Sequence, residues 1–234
     1  MPIQDITKIL SSNTYPGRGI IIGRTSDGTS ARIIYFIMGR SENSRNRVFT
    51  YTEDGIRTEA FDPAKMQDPS LIIYHPVRFF NGRAIVTNGD QTDTVRDNFA
   101  AGHGFRHGLR GRRFEPDAPN FTPRISGVVY EDGAYELSIL KSDEGDDSCC
   151  CRLFYSYDAP KAGEGRFIST YKHDGNPIPS FEGEPIKVSV DGEFDAFAES
   201  VWNSLNADNK VSLYACDIDI ATGEKKQRII NKNN

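Results

Sequence analysis

Four short polar clusters carry the residue types from which anion chemistry is built: Gly17-Arg18, Gly39-Arg40-Ser41 followed by Asn46-Arg47, the run Asn88-Gly89-Asp90-Gln91-Thr92-Asp93-Thr94, and Thr122-Pro123-Arg124. A guanidinium presents its N–H donors as a planar fork that matches phosphate or carboxylate oxygens two at a time, where lysine offers only a point charge. The arginines are concentrated. Residues 18–124 hold fifteen Arg and one Lys against twelve acidic residues, a local +4, while the rest of the chain sums to −9. That skew fits a small anionic ligand; the competing reading is solvated surface arginines paired with neighbouring acids. The overall charge of −5 argues against general nucleic-acid binding.

Other chemistries find weaker support. His103 and His107 have the i, i+4 spacing of a zinc pair on a helix, but no third ligand follows at a recognisable interval. The glycine-rich stretch at 102–111 lacks the phosphate-binding patterns and reads as a flexible segment. No serine-nucleophile signature is present. Cys149, Cys150 and Cys151 are consecutive and Cys216 stands alone, which suits neither a disulfide framework nor paired C-x-x-C zinc spacing, so free thiols are expected. No apolar run approaches the ~20 residues of a spanning helix. The opening residues show no basic stretch before an apolar one, and a cytoplasmic protein is expected.

The elements that must position these clusters are mostly strands. Apolar runs rich in β-branched and aromatic residues are punctuated by Asp-Gly or Asn-Gly, which supply the positive φ that tight hairpins need. Residues 20–23 turn through 25–28 into 33–38, and a run at 48–51 ends at Asp54-Gly55. Further hairpins pair 71–80 with 84–87 across Asn81-Gly82, 126–130 with 135–140 across Asp132-Gly133, and 214–220 with 228–230. Asp90 is placed to cap a helix bearing Val95 and Phe99, and Phe194, Phe197, Val201 and Leu205 recur with helical period. Residues 141–151 and 160–185 show no sustained periodicity and read as surface excursions. The sum is an α+β protein with layered antiparallel sheet, a single domain over residues 1–234.

Taken in order, the polar clusters resemble the archaeal-type IMP cyclohydrolase family. Its Y-x-G-R element is similar to Tyr15-Pro16-Gly17-Arg18, and its S-R-S followed by N-R to Arg40-Ser41 and Asn46-Arg47. The family's proline-bearing strand with a tyrosine resembles residues 68–74, and its S-N-G-S-H-T-D-T-I segment resembles residues 87–95. The T-P-R-I element is intact from Thr122 to Ile125, and Ile168-Ser169-Thr170-Tyr171 matches a later I-S-T-Y. The chain departs from the pattern in a leader before Tyr15, in Gly39 for the first serine, in Asp90-Gln91 for Ser-His, and in longer stretches after Lys141.

The resemblance implies an Ntn-hydrolase-like four-layer αββα sandwich without an autocatalytic N-terminal nucleophile. It implies a reaction needing no cofactor or metal, the closure of 5-formamidoimidazole-4-carboxamide ribonucleotide (FAICAR) to inosine monophosphate (IMP), and a homo-oligomer. Carried over by position, it implies Arg47 as an oxyanion-stabilising or substrate-binding cation, Tyr74 as a proton donor or hydrogen-bond anchor, and Glu115 as an acid/base carboxylate. Arg18, Arg40, Ser41, Asn88, Thr92, Thr94 and Arg124 are the expected contacts to phosphate and base. Two alternatives stay open: an N-terminal-nucleophile amide hydrolase, with processing exposing Ser11, Ser12 or Thr14, and a non-catalytic purine-nucleotide-binding protein.

Overall fold

A computed structural model describes residues 2–66, 69 and 72–233. Two antiparallel sheets account for most of them. The first has six strands in the order β11-β10-β1-β2-β12-β13, formed by β1 (Arg18–Arg24), β2 (Ser30–Met38), β10 (Glu164–Ser169), β11 (Ile186–Ser189), β12 (Lys210–Asp219) and β13 (Lys225–Asn231). The second is a seven-stranded meander in chain order: β3 (Arg47–Thr52), β4 (Gly55–Ala60), β5 (Val77–Phe80), β6 (Arg83–Thr87), β7 (Arg124–Val129), β8 (Tyr135–Asp143) and β9 (Asp146–Tyr157).

Strand alternation explains why the central runs are apolar without interruption. In β1 and β2, Ile20, Ile22, Ile33, Tyr35 and Ile37 face the second sheet, where they meet Phe49, Ile56, Val77 and Val86. Their neighbours Ile21, Ile34, Phe36 and Met38 point the other way, against helices α1 (Ile6–Ser11) and α5 (Phe194–Ser204). A strand covered on both faces has no polar positions to spare. Each fully buried isoleucine contributes about 1.5–3 kcal/mol. On the outer face of the second sheet, Ile85, Val128 and Leu140 pack on Val95 of α3 (Gln91–Ala100) and on Phe105 and Leu109 of α4 (Phe105–Leu109). A short helix α2 (Glu42–Arg45) joins β2 to β3. The architecture is therefore α+β, with few helices outside two antiparallel sheets, and no described helix is long and apolar enough to cross a membrane.

The Asn81-Gly82 hairpin takes the expected form, both residues having positive φ (44° and 71°). Three expectations change. The strand read at 71–80 narrows to β5, with Leu71 outside the described residues and Ile72 to Pro76 outside any strand. The stretches read as excursions supply strands: β9 is a twelve-residue edge strand, and β10 lies inside the first sheet beside β1. Both are hard to see because β9 is a largely exposed edge strand and β10 is short. Finally, Asp90 stands before α3 with helical backbone angles and makes no capping bond; its carboxylate is held by Arg112 and Arg124 instead.

Candidate active site

Strand ends set the geometry. Arg18 opens β1, Arg47 opens β3 and Arg124 opens β7, while Tyr171 follows β10, and backbone bonding between Thr170 and Arg18 keeps those two ends together. All four residues are buried. Gly17 makes the approach possible. At φ +79° it lies where L side chains are strained, and a Cβ there would fall 2.2 Å from the Thr170 hydroxyl.

Arg47 is the most deeply placed charge, at 0% exposure. Its Nε donates to the Ser44 carbonyl at 2.8 Å and its Nη2 to that of Met38 at 3.4 Å. Its Nη1 has no partner among the described residues, and neither has the buried Nε of Arg18. A buried donor left without an acceptor costs about 1–3 kcal/mol, more when charged, so these two neighbouring guanidiniums are free to bind an acceptor. Burial, and then the like charge of Arg18, push the Arg47 pKa below the ordinary guanidinium value. Burial also opposes the charge on Arg18, yet Glu115, Tyr171, Tyr15 and Tyr74 outweigh it and hold that guanidinium above its ordinary value.

Glu115 faces this cluster from the loop between α4 and β7. The loop is closed on itself: the Glu115 N–H donates to the Thr122 carbonyl at 2.8 Å, the Thr122 N–H to Asp117 at 2.6 Å, and the Thr122 hydroxyl bonds the Tyr171 hydroxyl at 2.6 Å. Burial raises the Glu115 pKa above the usual carboxylate range, with Arg18, Arg124 and Arg47 pulling against it. Burial likewise lifts the Tyr171 phenol to about 12.

Tyr74 sits in the segment between β4 and β5, tied to β4 by reciprocal bonds with Thr58 at 2.9 Å. Its hydroxyl bonds that of Tyr35 at 2.8 Å. Tyr35, fully buried in β2, is a site residue that sequence reasoning missed: it lies inside an apolar run, where a tyrosine reads as core. The available signal was a phenol among the apolar side chains of a strand covered on both faces, since a buried tyrosine hydroxyl needs a partner. Burial, then Tyr74, hold the Tyr35 phenol well above its ordinary pKa.

The remaining residues divide. Arg124 donates to Gln91 at 2.6 Å and pairs with Asp90 at 2.8 Å, so the Asp90-Gln91 departure from the family pattern is what positions this arginine. Gly89 leaves it room, since a Cβ there would fall 2.3 Å from Arg124 Nη1. Arg40 is exposed, paired with Asp174 at 2.6 Å and lying over the Tyr15 ring, which stacks on Tyr171. Ser41 is exposed and caps α2. Asn88 and Thr92 are buried but bonded within the protein, Asn88 to Pro123, Ile125 and Gln91, and Thr92 to Thr87 and Gly89. Thr94 is half-buried within α3. The geometry thus brings Arg18, Arg47, Arg124, Tyr74 and Glu115 into one polar centre, with Asn88 and Thr92 in its scaffold and Arg40 and Ser41 further out.

Such a centre can bind an anion, donate protons from phenols and move one through a carboxyl. Residues 15–224 match the family described as IMP cyclohydrolase-like protein. The chain belongs to that family. Relatives include proteins named IMP cyclohydrolase from three archaea. That of Methanopyrus kandleri is 26% identical over 72% of this chain and 89% of its own length. That of Methanothrix thermoacetophila is 30% identical over 72% and 80%. That of Methanococcus maripaludis strain C6 is 31% identical over 55% and 65%. The family match begins at Tyr15 and takes in every member of the polar centre.

Proposed function

We propose that this chain is an IMP cyclohydrolase, closing FAICAR to IMP with loss of water, the ring opening being the same steps in reverse. The observation that carries the reading is the pair of unpartnered buried guanidinium N–H groups on Arg18 and Arg47, set beside Glu115 and the Tyr35–Tyr74 hydroxyl pair. Family membership and the names of the relatives agree with it.

The chemistry is intramolecular. The carboxamide nitrogen attacks the formyl carbon, the formyl oxygen gains negative charge, and the nitrogen loses a proton; the resulting hydroxyl is then protonated and leaves as water. Arg47, and beside it Arg18, meets the developing oxyanion with donors already desolvated and fixed, the condition under which such donors are most effective. Tyr74, bonded to Tyr35, supplies a proton to that oxygen and recovers one from the former formamide N–H as water leaves and the ring C=N bond forms. Glu115, its pKa raised toward working pH, takes the nitrogen's proton and returns it to the leaving hydroxyl. Folding the substrate into the reactive conformer is the task of the contacts at its other end. Arg124, steered by Asp90 and Gln91, and Arg40 at the rim are assigned to the phosphate, with Ser41, Asn88, Thr92 and Thr94 shaping the base and ribose pocket.

The helices on the outer faces of the two packed sheets support a four-layer αββα sandwich of the Ntn-hydrolase-like kind. The amide-hydrolase alternative would need removal of the residues before Ser11, Ser12 or Thr14, stripping buried Ile6 and Leu10 from the α1 contact with α5. The test is metal-stripped, full-length protein given FAICAR, with IMP followed by ultraviolet absorbance. IMP formation well above the uncatalysed rate supports the reading. IMP binding by calorimetry without turnover would leave a nucleotide-binding protein.

A further inference from the structure

The cysteine-rich hairpin lies outside the polar centre, and the fold gives it an order that its sequence hides. In the β8–β9 ladder Lys141 pairs with Cys151 and Ser142 with Cys150, after which an irregularity brings Asp143 opposite Asp146. Alternation puts Cys149 and Cys151 on one face of β9, together with Asp143 from β8. Cys150 turns the other way, half-buried against the cluster that includes Leu109 and Leu140. The sulfurs of Cys149 and Cys151 and a carboxylate oxygen of Asp143 all lie within 4.8 Å of one another. None of the three joins the hydrophobic core: Cys149 and Asp143 are exposed and Cys151 half-buried.

We propose that Asp143, Cys149 and Cys151 form a binding site for a thiophilic divalent cation, with Zn2+ as the reference ion. Two sulfurs and one carboxylate oxygen are ligand types that zinc takes together, and tetrahedral Zn–S bonds of about 2.3 Å place two sulfurs about 3.8 Å apart. The three ligand atoms already lie within 4.8 Å of one another, so closing to that spacing is a movement of no more than about 1 Å. With three protein ligands and an open side, the fourth position goes to water. Binding displaces the two thiol protons, which leave to solvent as the metal–sulfur bonds form. The linear C-C-C sequence hides this site because the third ligand comes from the neighbouring strand. The site is independent of the cyclohydrolase reading.

The test uses full-length protein kept reduced by a non-chelating phosphine and titrated with Co2+ alone, then with Zn2+. One equivalent of Co2+ is expected to give a sulfur-to-cobalt charge-transfer band, with no change in oligomeric state, and one equivalent of Zn2+ to remove it. Cys149→Ser and Cys151→Ser should each abolish the band and Asp143→Asn should weaken Zn2+ binding by at least about tenfold, while Cys150→Ser leaves both unchanged. Absence of the band in the unsubstituted protein overturns the proposal. So does loss of the band in Cys150→Ser, an undiminished affinity in Asp143→Asn, or binding at half an equivalent with dimer formation. Because the readout is spectroscopic, failure of the cyclohydrolase reading would leave it untouched.

Discussion

Replacing Arg47 by methionine separates a binding arginine from a structural one, because the two roles predict opposite outcomes. Methionine keeps the length and apolar stem but removes the charge. The structural loss is one charge-assisted hydrogen bond, to the Ser44 carbonyl at 2.8 Å, worth about 1.5–3 kcal/mol; the 3.4 Å contact to Met38 is too long to add much. Against it stands relief of a buried charge with an unpartnered nitrogen, Nη1, about 1–3 kcal/mol or more, and of repulsion from Arg18. The two nearly cancel, so stability should change by no more than about 1.5 kcal/mol, or roughly 3–6 °C in Tm for a chain of this size. Catalysis should fall by about 10²–10³, the 2.7–4 kcal/mol of a lost oxyanion donor. Thermal unfolding by circular dichroism and FAICAR cyclisation by absorbance give the two numbers. A Tm drop above about 10 °C with a rate within threefold of the parent would refute the reasoning, since that is how a buried arginine with a purely structural partner behaves.

Folding raises the Glu115 pKa above its ordinary 4.5, so the ionised fraction falls as pH drops through that raised value, and kcat/KM should show an acid limb there that Glu115→Gln abolishes along with most activity. The same shift means that this group's contribution to stability is full below pH 4.5 and is lost as pH rises through the folded-state value; chemical denaturation across that window should show a flatter profile in Glu115→Gln. Tyr35→Phe removes only the partner of the Tyr74 hydroxyl, a loss of about 0.5–1.5 kcal/mol, and steady-state kinetics should show kcat reduced about two- to thirteenfold with KM little changed. Gly89→Ala forces Arg124 away from a Cβ that would sit 2.3 Å from its Nη1, so KM for FAICAR should rise about tenfold, more than kcat falls; a selective loss of kcat would move Arg124 to the reacting end.

Much of this was legible in the residues. The Asn-Gly and Asp-Gly turns located three hairpins, and the end of a fourth run at Asp54-Gly55, because a positive φ is a local demand that few residue types meet. The arginine clusters stood out because residues 18–124 hold fifteen Arg against one Lys, and in the structure Arg18, Arg47 and Arg124 each open a strand. What was not legible depends on contacts distant in sequence. Tyr35 becomes a site residue only because Tyr74, 39 positions away, meets its hydroxyl. Asp90 looked like a helix cap because capping is local, whereas the arginines that claim it come from positions 112 and 124. Strand β10 was hidden because its place in the first sheet is fixed by β1 and β11, and a six-residue strand carries little pattern of its own.

The central claim is that Arg18 and Arg47 hold unpartnered donors for a nucleotide's reacting end. A crystal structure of the protein with IMP tests it most directly. The account predicts Arg18 Nε and Arg47 Nη1 within hydrogen-bond distance of oxygens on the ligand or on a water it orders, with the Glu115 carboxyl beside the pyrimidine ring. IMP bound elsewhere on the molecule, with both nitrogens still unpartnered beside Glu115, would contradict it.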